Sequence, residues 1–100
     1  MNESFKIFGW MTTDLKLSSN ELLVYAIIFR DTVEGNGSFD KGSGYIANLL
    51  NLSRPYVFTI LKKLTERGYI ERIAKSEKTS AVTFKAKTYQ QITNKETTNE

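Results

Sequence analysis

Residues 42–63 read GSGYIANLLNLSRPYVFTILKK, and their apolar spacing changes phase across three turn-compatible residues. Ile46, Ala47, Leu49 and Leu50 line one face of a first short helix, and Val57, Ile60, Leu61 and Leu64 line one face of a second. Asn51, Leu52 and Ser53 lie between them, so the two helices must cross there. A tight crossing needs a small side chain at the contact, and Ala47 supplies it. Asn51, four residues on, tolerates the left-handed backbone better than other residues that carry a Cβ, so it can end the first helix in the role usually given to Gly. Leu52 is placed to tuck under both helices. Ser53 can accept backbone N–H groups at the start of the second helix, and Pro55 falls in its first turn, where a missing N–H costs little.

This spacing resembles the helix-turn-helix family, in which a small residue, a Gly-like residue four positions later and a β-branched residue six beyond that recur. Here they are Ala47, Asn51 and Val57, with Asn in place of Gly at the turn. Glu66-Arg67-Gly68-Tyr69-Ile70 then closes the second helix at Gly68 and starts a new pattern. Ile70, Ile73 and Ala74 precede a polar stretch from Lys75 to Ser80, after which Val82, Phe84 and Ala86 follow with period two, which predicts a β-hairpin. A helix-turn-helix followed by a hairpin resembles the winged-helix variety, whose hairpin is the wing. Ser38-Phe39-Asp40, after the turn at Gly35-Asn36-Gly37, is a candidate short third strand. The expected class is α+β, mostly helical with a C-terminal β-hairpin wing.

Upstream, Ser18-Ser19-Asn20-Glu21 has the capping-box pattern, with Ser18 as cap, and predicts a helix to about Val33. Residues 22–29 are apolar without a break, and a helix apolar on nearly all sides must be buried on nearly all sides. The crossing helices can cover one side. Phe5, Ile7, Phe8, Trp10, Met11 and Leu15 are expected to cover another, either by folding back or through a second chain, which makes a homodimer through the N-terminal apolar segment a candidate arrangement.

One hundred residues suit one small domain with a single core. The expected organisation is an N-terminal apolar segment or helix over 1–17, a winged-helix domain over 18–87 and a polar tail or linker over 88–100, TYQQITNKETTNE, whose composition lacks a sustained apolar period. Such a tail is consistent with a fragment of a longer protein. The sequence contains no cysteine and no histidine, so it offers no disulfide framework, thiolate metal site or thiol nucleophile. The longest apolar run is eight residues, far below a membrane span of roughly 18, and residues 1–4 lack a basic leader region. A bacterial-type cytoplasm is the expected location.

The net charge of +3 conceals a division along the chain. Residues 1–40 hold three Lys/Arg and six Asp/Glu, whereas residues 41–87 hold ten Lys/Arg and three Asp/Glu. Positive charge thus gathers in the crossing helices and hairpin, an electrostatic footprint for nucleic acid. With the apolar stripe of the second helix turned inward, Pro55, Thr59, Lys62 and Glu66 face directly outward, flanked by Phe58 on one side and Tyr56 and Lys63 on the other. Arg54, Tyr56, Phe58 and Thr59 are candidates for base contact in a major groove. Lys62 and Lys63 are better placed for phosphate, which adds affinity and salt dependence but little sequence choice. Lys75 and Lys78, flanking Glu77 in the hairpin turn, are candidates for the minor groove. The candidate DNA-binding set is therefore Ser53, Arg54, Pro55, Tyr56, Phe58, Thr59, Lys62, Lys63, Lys75 and Lys78. Several also have a plainer reading: Tyr56 can pack across the crossing, Phe58 can belong to a protein interface, Lys62 and Lys63 can be solvated partners of Glu66, and the wing that carries Lys75 and Lys78 can simply cap the core. Arg72, Lys85 and Lys87 fit the wet face of the hairpin as well as a phosphate contact.

No other chemistry stands out. Gly35, Gly37, Gly42 and Gly44 do not join a strand to a helix with phosphate-loop spacing and read as turn residues. Asp31 and Glu34 read as surface acids with no partner base or metal set. Trp10 reads as core or interface. No catalytic residue, metal ligand or cofactor site is expected, and the chain is not expected to be an enzyme.

The whole run from Ile7 to Ile73, with GWMTTDLKLSSNELLVYAIIFRD and then YIANLLNLSRPYVFTILKKLTERGYIERI, resembles winged-helix domains of proteins on bacterial plasmids, phages and other mobile elements. It is similar to the N-terminal domain of plasmid replication initiator A proteins and phage replisome organisers. The resemblance spans about two-thirds of the chain and rests on the buried pattern and the NELLVYAI and ERGYIERI phrases. It implies sequence-specific binding of double-stranded DNA, often as a dimer, in replication initiation. A transcriptional regulator with the same domain and a winged-helix protein-interaction module are the alternatives.

Overall fold

The computed structural model describes residues 5–35, 37–73, 83–87 and 92. Four α-helices lead into a hairpin: α1 (Gly9–Thr13), α2 (Ser19–Phe29), α3 (Ser43–Leu50), α4 (Arg54–Glu66), β1 (Ile70–Ile73) and β2 (Thr83–Ala86). α2 continues into a π-helical turn over Arg30–Glu34. β1 and β2 pair antiparallel, Ile70 opposite Ala86 and Ile73 opposite Thr83. This is an α+β, winged-helix-like arrangement, with α3 and α4 as the crossing pair and the hairpin as the wing.

α2 is the central post. Val24, Tyr25, Ala26, Ile27 and Ile28 are at most 1 % exposed, so the helix is enclosed around its circumference, as its unbroken apolar run requires. α4 covers one side with Val57, Ile60, Leu61 and Leu64. The N-terminal segment folds back over another, burying Met11, Leu15 and Leu17 within the same chain. There Trp10 meets the Phe29 ring edge-on at 5.3 Å and the Tyr25 ring at 6.1 Å, and Phe8 meets Phe29 at 5.7 Å. Such edge-to-face contacts suit the positive rim and negative face of aromatic rings.

The turn between α3 and α4 follows the chemistry of its residues. Asn51 adopts the left-handed conformation (φ 59°, ψ 48°). The Leu52 N–H then donates to the Ala47 carbonyl at 2.8 Å, the bond that closes a helix end of this kind. Ala47 is buried at the crossing and Leu52 is half-buried beneath it. Ser53 caps α4, its Oγ accepting from the Tyr56 N–H at 3.3 Å. At the other end Gly68 takes φ 82°, and the bonds Tyr69 N–H to Leu64 carbonyl and Gly68 N–H to Thr65 carbonyl, both 3.0 Å, form a Schellman motif. The backbone there requires a residue without a Cβ penalty.

Four local expectations change. Ser18 occupies the N-cap position of α2 but makes no side-chain cap bond, because Ser19, which a capping box needs in helical geometry, sits at φ 52°. Glu21, the other half of the expected box, reaches α4 instead. Asp31 is not a surface acid: it is 7 % exposed and paired with Arg30 at 2.9 Å and with Lys41. In β2 the buried residues are Thr83 and Ala86, while Phe84 is half-buried, so burial does not alternate strictly. The anticipated third strand is a single antiparallel bridge, Phe39 to Phe84, with bonds of 2.6 and 2.9 Å. Ala74, Val82 and residues 75–80 lie outside the described residues, as does most of the expected tail.

Candidate nucleic-acid interface

Burying Val57, Ile60, Leu61 and Leu64 fixes the rotation of α4, and the remaining positions divide into a crest and two flanks. Pro55, Thr59 and Glu66 form the exposed crest with Lys62 beside them. The Thr59 hydroxyl donates to the Pro55 carbonyl at 3.1 Å, so what it offers outward is a methyl group and an acceptor oxygen.

One flank faces α2. The Tyr56 hydroxyl accepts from Asn20 Nδ2 at 3.4 Å, while its side chain stays 44 % exposed. Lys63 Nζ meets Glu21 Oε2 at 2.9 Å, and Arg67 meets the other Glu21 oxygen at 3.4 Å. Arg67 is held further by the Leu15 carbonyl at 3.2 Å and by stacking 4.9 Å from the Tyr69 ring centre. Lys63 thus pairs with α2 rather than with Glu66 of its own helix. These contacts set the angle at which α4 is presented.

The other flank faces the wing across an open groove of about 780 Å³, whose rim and walls include Lys41, Gly44, Arg54, Phe58, Lys62 and Arg72. Phe58 is 56 % exposed, and half-buried Phe84 and buried Leu61 contribute apolar wall. The Arg54 guanidinium lies over the start of α3, where a Cβ built at Gly44 would meet it at 3.4 Å, an ordinary van der Waals contact. Lys41 is anchored by Asp31 and stands 5.5 Å from the Tyr45 ring centre. Tyr45 also accepts from Arg30 Nη2 at 3.1 Å. Burial alone would lower the Arg30 pKa, but hydrogen bonds to Tyr45 and Asp31 outweigh it and hold the guanidinium above its ordinary value. Among the described residues, Arg54, Lys62 and Arg72 have no salt-bridge partner.

Of the residues singled out from sequence, Ser53 and Pro55 shape the start of α4, Arg54, Phe58 and Lys62 border the groove, Thr59 is on the crest, and Tyr56 and Lys63 sit on the α2 side. Lys75 and Lys78 lie outside the described residues. Three participants were not anticipated. Lys41 counted only toward total charge, Glu21 was assigned to a cap, and Arg72 was left undecided on the hairpin. A basic residue just ahead of Gly42-Ser43-Gly44 is the one signal that could have marked Lys41.

No family model matches the sequence, and no curated protein matches it. A solved structure described as the N-terminal domain of a DNA binding protein superposes with a TM-score of 0.58 at 16 % identity, covering 98 % of this chain and 87 % of that one. At that identity the likeness concerns the fold.

No helix among the described residues is long and apolar enough to cross a membrane.

Proposed function

We propose that this chain is a non-enzymatic, sequence-specific binder of double-stranded DNA that lays α4 in the major groove, with the wing alongside. The observation that carries this is the exposed side of α4: a cap-to-crest run of Arg54, Pro55, Tyr56, Phe58, Thr59 and Lys62 that the fold leaves uncovered, beside cations with no described ion-pair partner. Thr and aromatic groups can meet a thymine methyl, and Arg can pair with guanine. The fold shared with a domain described as DNA-binding supports the same reading.

Within it, we assign the protein to replication initiation on a plasmid, phage or other mobile element of a bacterial cytoplasm, on the resemblance of its buried pattern to initiator and replisome-organiser domains. A homodimer through the N-terminal segment belongs to this reading. Much of that segment is spent on α2, and among its described residues Ile7, 45 % exposed, is an apolar side chain left for a partner. Light scattering that returned a monomer at high concentration would remove the dimer.

The experiment is retention of a random duplex pool at two salt concentrations, followed by sequencing. Enrichment of a repeated or palindromic site, weakened by salt, is the expected result, and its position at an origin or a promoter separates initiator from transcriptional regulator. The exposed aromatic pair Tyr56 and Phe58 favours a protein-interaction module as the second reading, and no retention at low salt would put that reading first.

A further inference from the structure

The wing-side flank of α4 carries Arg54, Phe58 and Lys62 at i, i+4 and i+8 along one groove, a cation, an aromatic ring and a cation spaced by one turn each. Arg54 and Lys62 are about 12 Å apart along the helix axis, with Phe58 midway. Arg72 faces the same space from β1, and Phe84 from β2. The groove's volume of about 780 Å³ falls within the range of small-ligand sites, far more than a passing phosphate needs.

The mixture of groups is informative. A duplex offers this flank phosphate, sugar and at most the edge of a base such as a thymine methyl, because a paired base is stacked on both faces inside the helix; it would use the cations and leave the faces of the Phe58 and Phe84 rings without a stacking partner. An unpaired base presents a free π-face, and single-strand sites combine such rings with a basic track along the backbone. We propose that this groove takes a nucleotide of single-stranded DNA, its base against Phe58 and its flanking phosphates against Arg54 and Lys62, with Arg72 closing the wing side. The site deepens the DNA-binding reading, since it places an unpaired strand beside the duplex-facing crest of the same helix. A protein holding both could keep hold of a strand separated next to its duplex site.

The test uses the whole chain and a fluorescein-labelled twelve-residue oligothymidylate at low salt, followed by anisotropy, with thymidine monophosphate as unlabelled competitor and the duplex recovered from the random pool in parallel. Oligothymidylate is expected to bind. Phe58→Ala is expected to weaken it about tenfold, the scale of one lost base–aromatic stack, while Phe58→Trp stays within about twofold of the parent. Arg72→Ala is expected to weaken the single strand more than the duplex, and circular dichroism of each exposed-site variant checks that the fold is kept. No binding of oligothymidylate, or binding indifferent to Phe58→Ala, would overturn the proposal, as would a Phe58→Ala loss confined to duplex. Competition by the mononucleotide as strong as by the strand would assign the groove to a free nucleotide and overturn the strand. Duplex binding that survives when oligothymidylate fails leaves the DNA-binding reading intact. Conversely, Phe58-dependent oligothymidylate binding without duplex retention sinks that reading and keeps the groove.

Discussion

Glu21 is expected to restrain DNA binding, and Glu21→Gln should strengthen it. The carboxylate holds Lys63 at 2.9 Å and Arg67 at 3.4 Å, on the α2 side of the proposed recognition helix. Arg67 has other anchors in the Leu15 carbonyl and the Tyr69 ring, so it stays in place when Glu21 loses its charge. Lys63 has no second described acceptor and is 59 % exposed, so it is the side chain released. An exposed ion pair contributes about 0.2–1 kcal/mol. With Glu21 only 24 % exposed, the upper part of that range applies, and about 1 kcal/mol corresponds to roughly a fivefold gain in duplex affinity at low salt. If the freed ammonium engages a phosphate, the slope of log K against log salt steepens by about 0.9. The same change lowers the melting temperature, by about 4–8 °C for each kcal/mol lost. Fluorescence anisotropy on the selected duplex across a salt series measures both quantities. The same substitution in a Lys63→Ala background isolates the pair: there the extra slope should vanish, leaving only the general effect of removing a negative charge. Unchanged affinity and slope in Glu21→Gln would refute the idea that DNA approaches the α2 flank of α4, and confine contact to the crest and the wing side.

Three further outcomes are expected. Ala47→Leu should destabilise the protein by about 1–3 kcal/mol in urea unfolding, because the added side chain has no room at the α3–α4 crossing. Thr59→Ala should leave the melting temperature within a few degrees but alter which sequences the pool retains, since it removes a methyl and an acceptor from the crest. Tyr25, whose hydroxyl donates to the Lys87 carbonyl at 2.6 Å, has its pKa raised by burial and secondarily by Tyr69, so the fold favours the neutral phenol. That stabilisation is complete below the ordinary phenol value near 10 and is lost as pH rises above it. Tyr25→Phe should cost about 1 kcal/mol at pH 8 and show a shallower loss of stability between pH 9 and 11 than the parent.

What could be read from the chain was local and periodic. The phase change across Asn51–Ser53, the left-handed Asn51, the Ser53 cap and the Gly68 stop are each decided by a residue and its neighbours within one turn, and the structure shows them so. The unbroken apolar run at 22–29 demanded cover on all sides, and α1 and its flanks provide it within one chain. The failures were contacts between distant residues. Glu21 had a plausible partner three residues away and took one 42 residues away, because the α2 start is distorted at Ser19 while Lys63 stands opposite. Asp31 lay in a helix continuation that looked wet, yet Lys41, ten residues on, returns over it after the turn at Gly35 and Gly37.

The same distinction explains why the members of the outer surface of α4 and their angular order were legible, while what stands beside them was not. A helical wheel orders positions by angle, and it placed Tyr56 and Phe58 on opposite sides of the crest. It carries no information about what stands beside each side. In the fold, α2 brings an amide and a carboxylate to the Tyr56–Lys63 side, and the wing and the start of α3 bring Arg72, Lys41 and a bare glycine backbone to the Phe58 side. Two lysines adjacent in sequence therefore differ in what they can do: Lys63 must leave a carboxylate before it meets a phosphate, whereas Lys62 has no described ion pair to break. Binding through Lys62 costs no internal pair, so contact with a polyanion should begin on the wing side of α4 and reach the α2 side only when Glu21 yields.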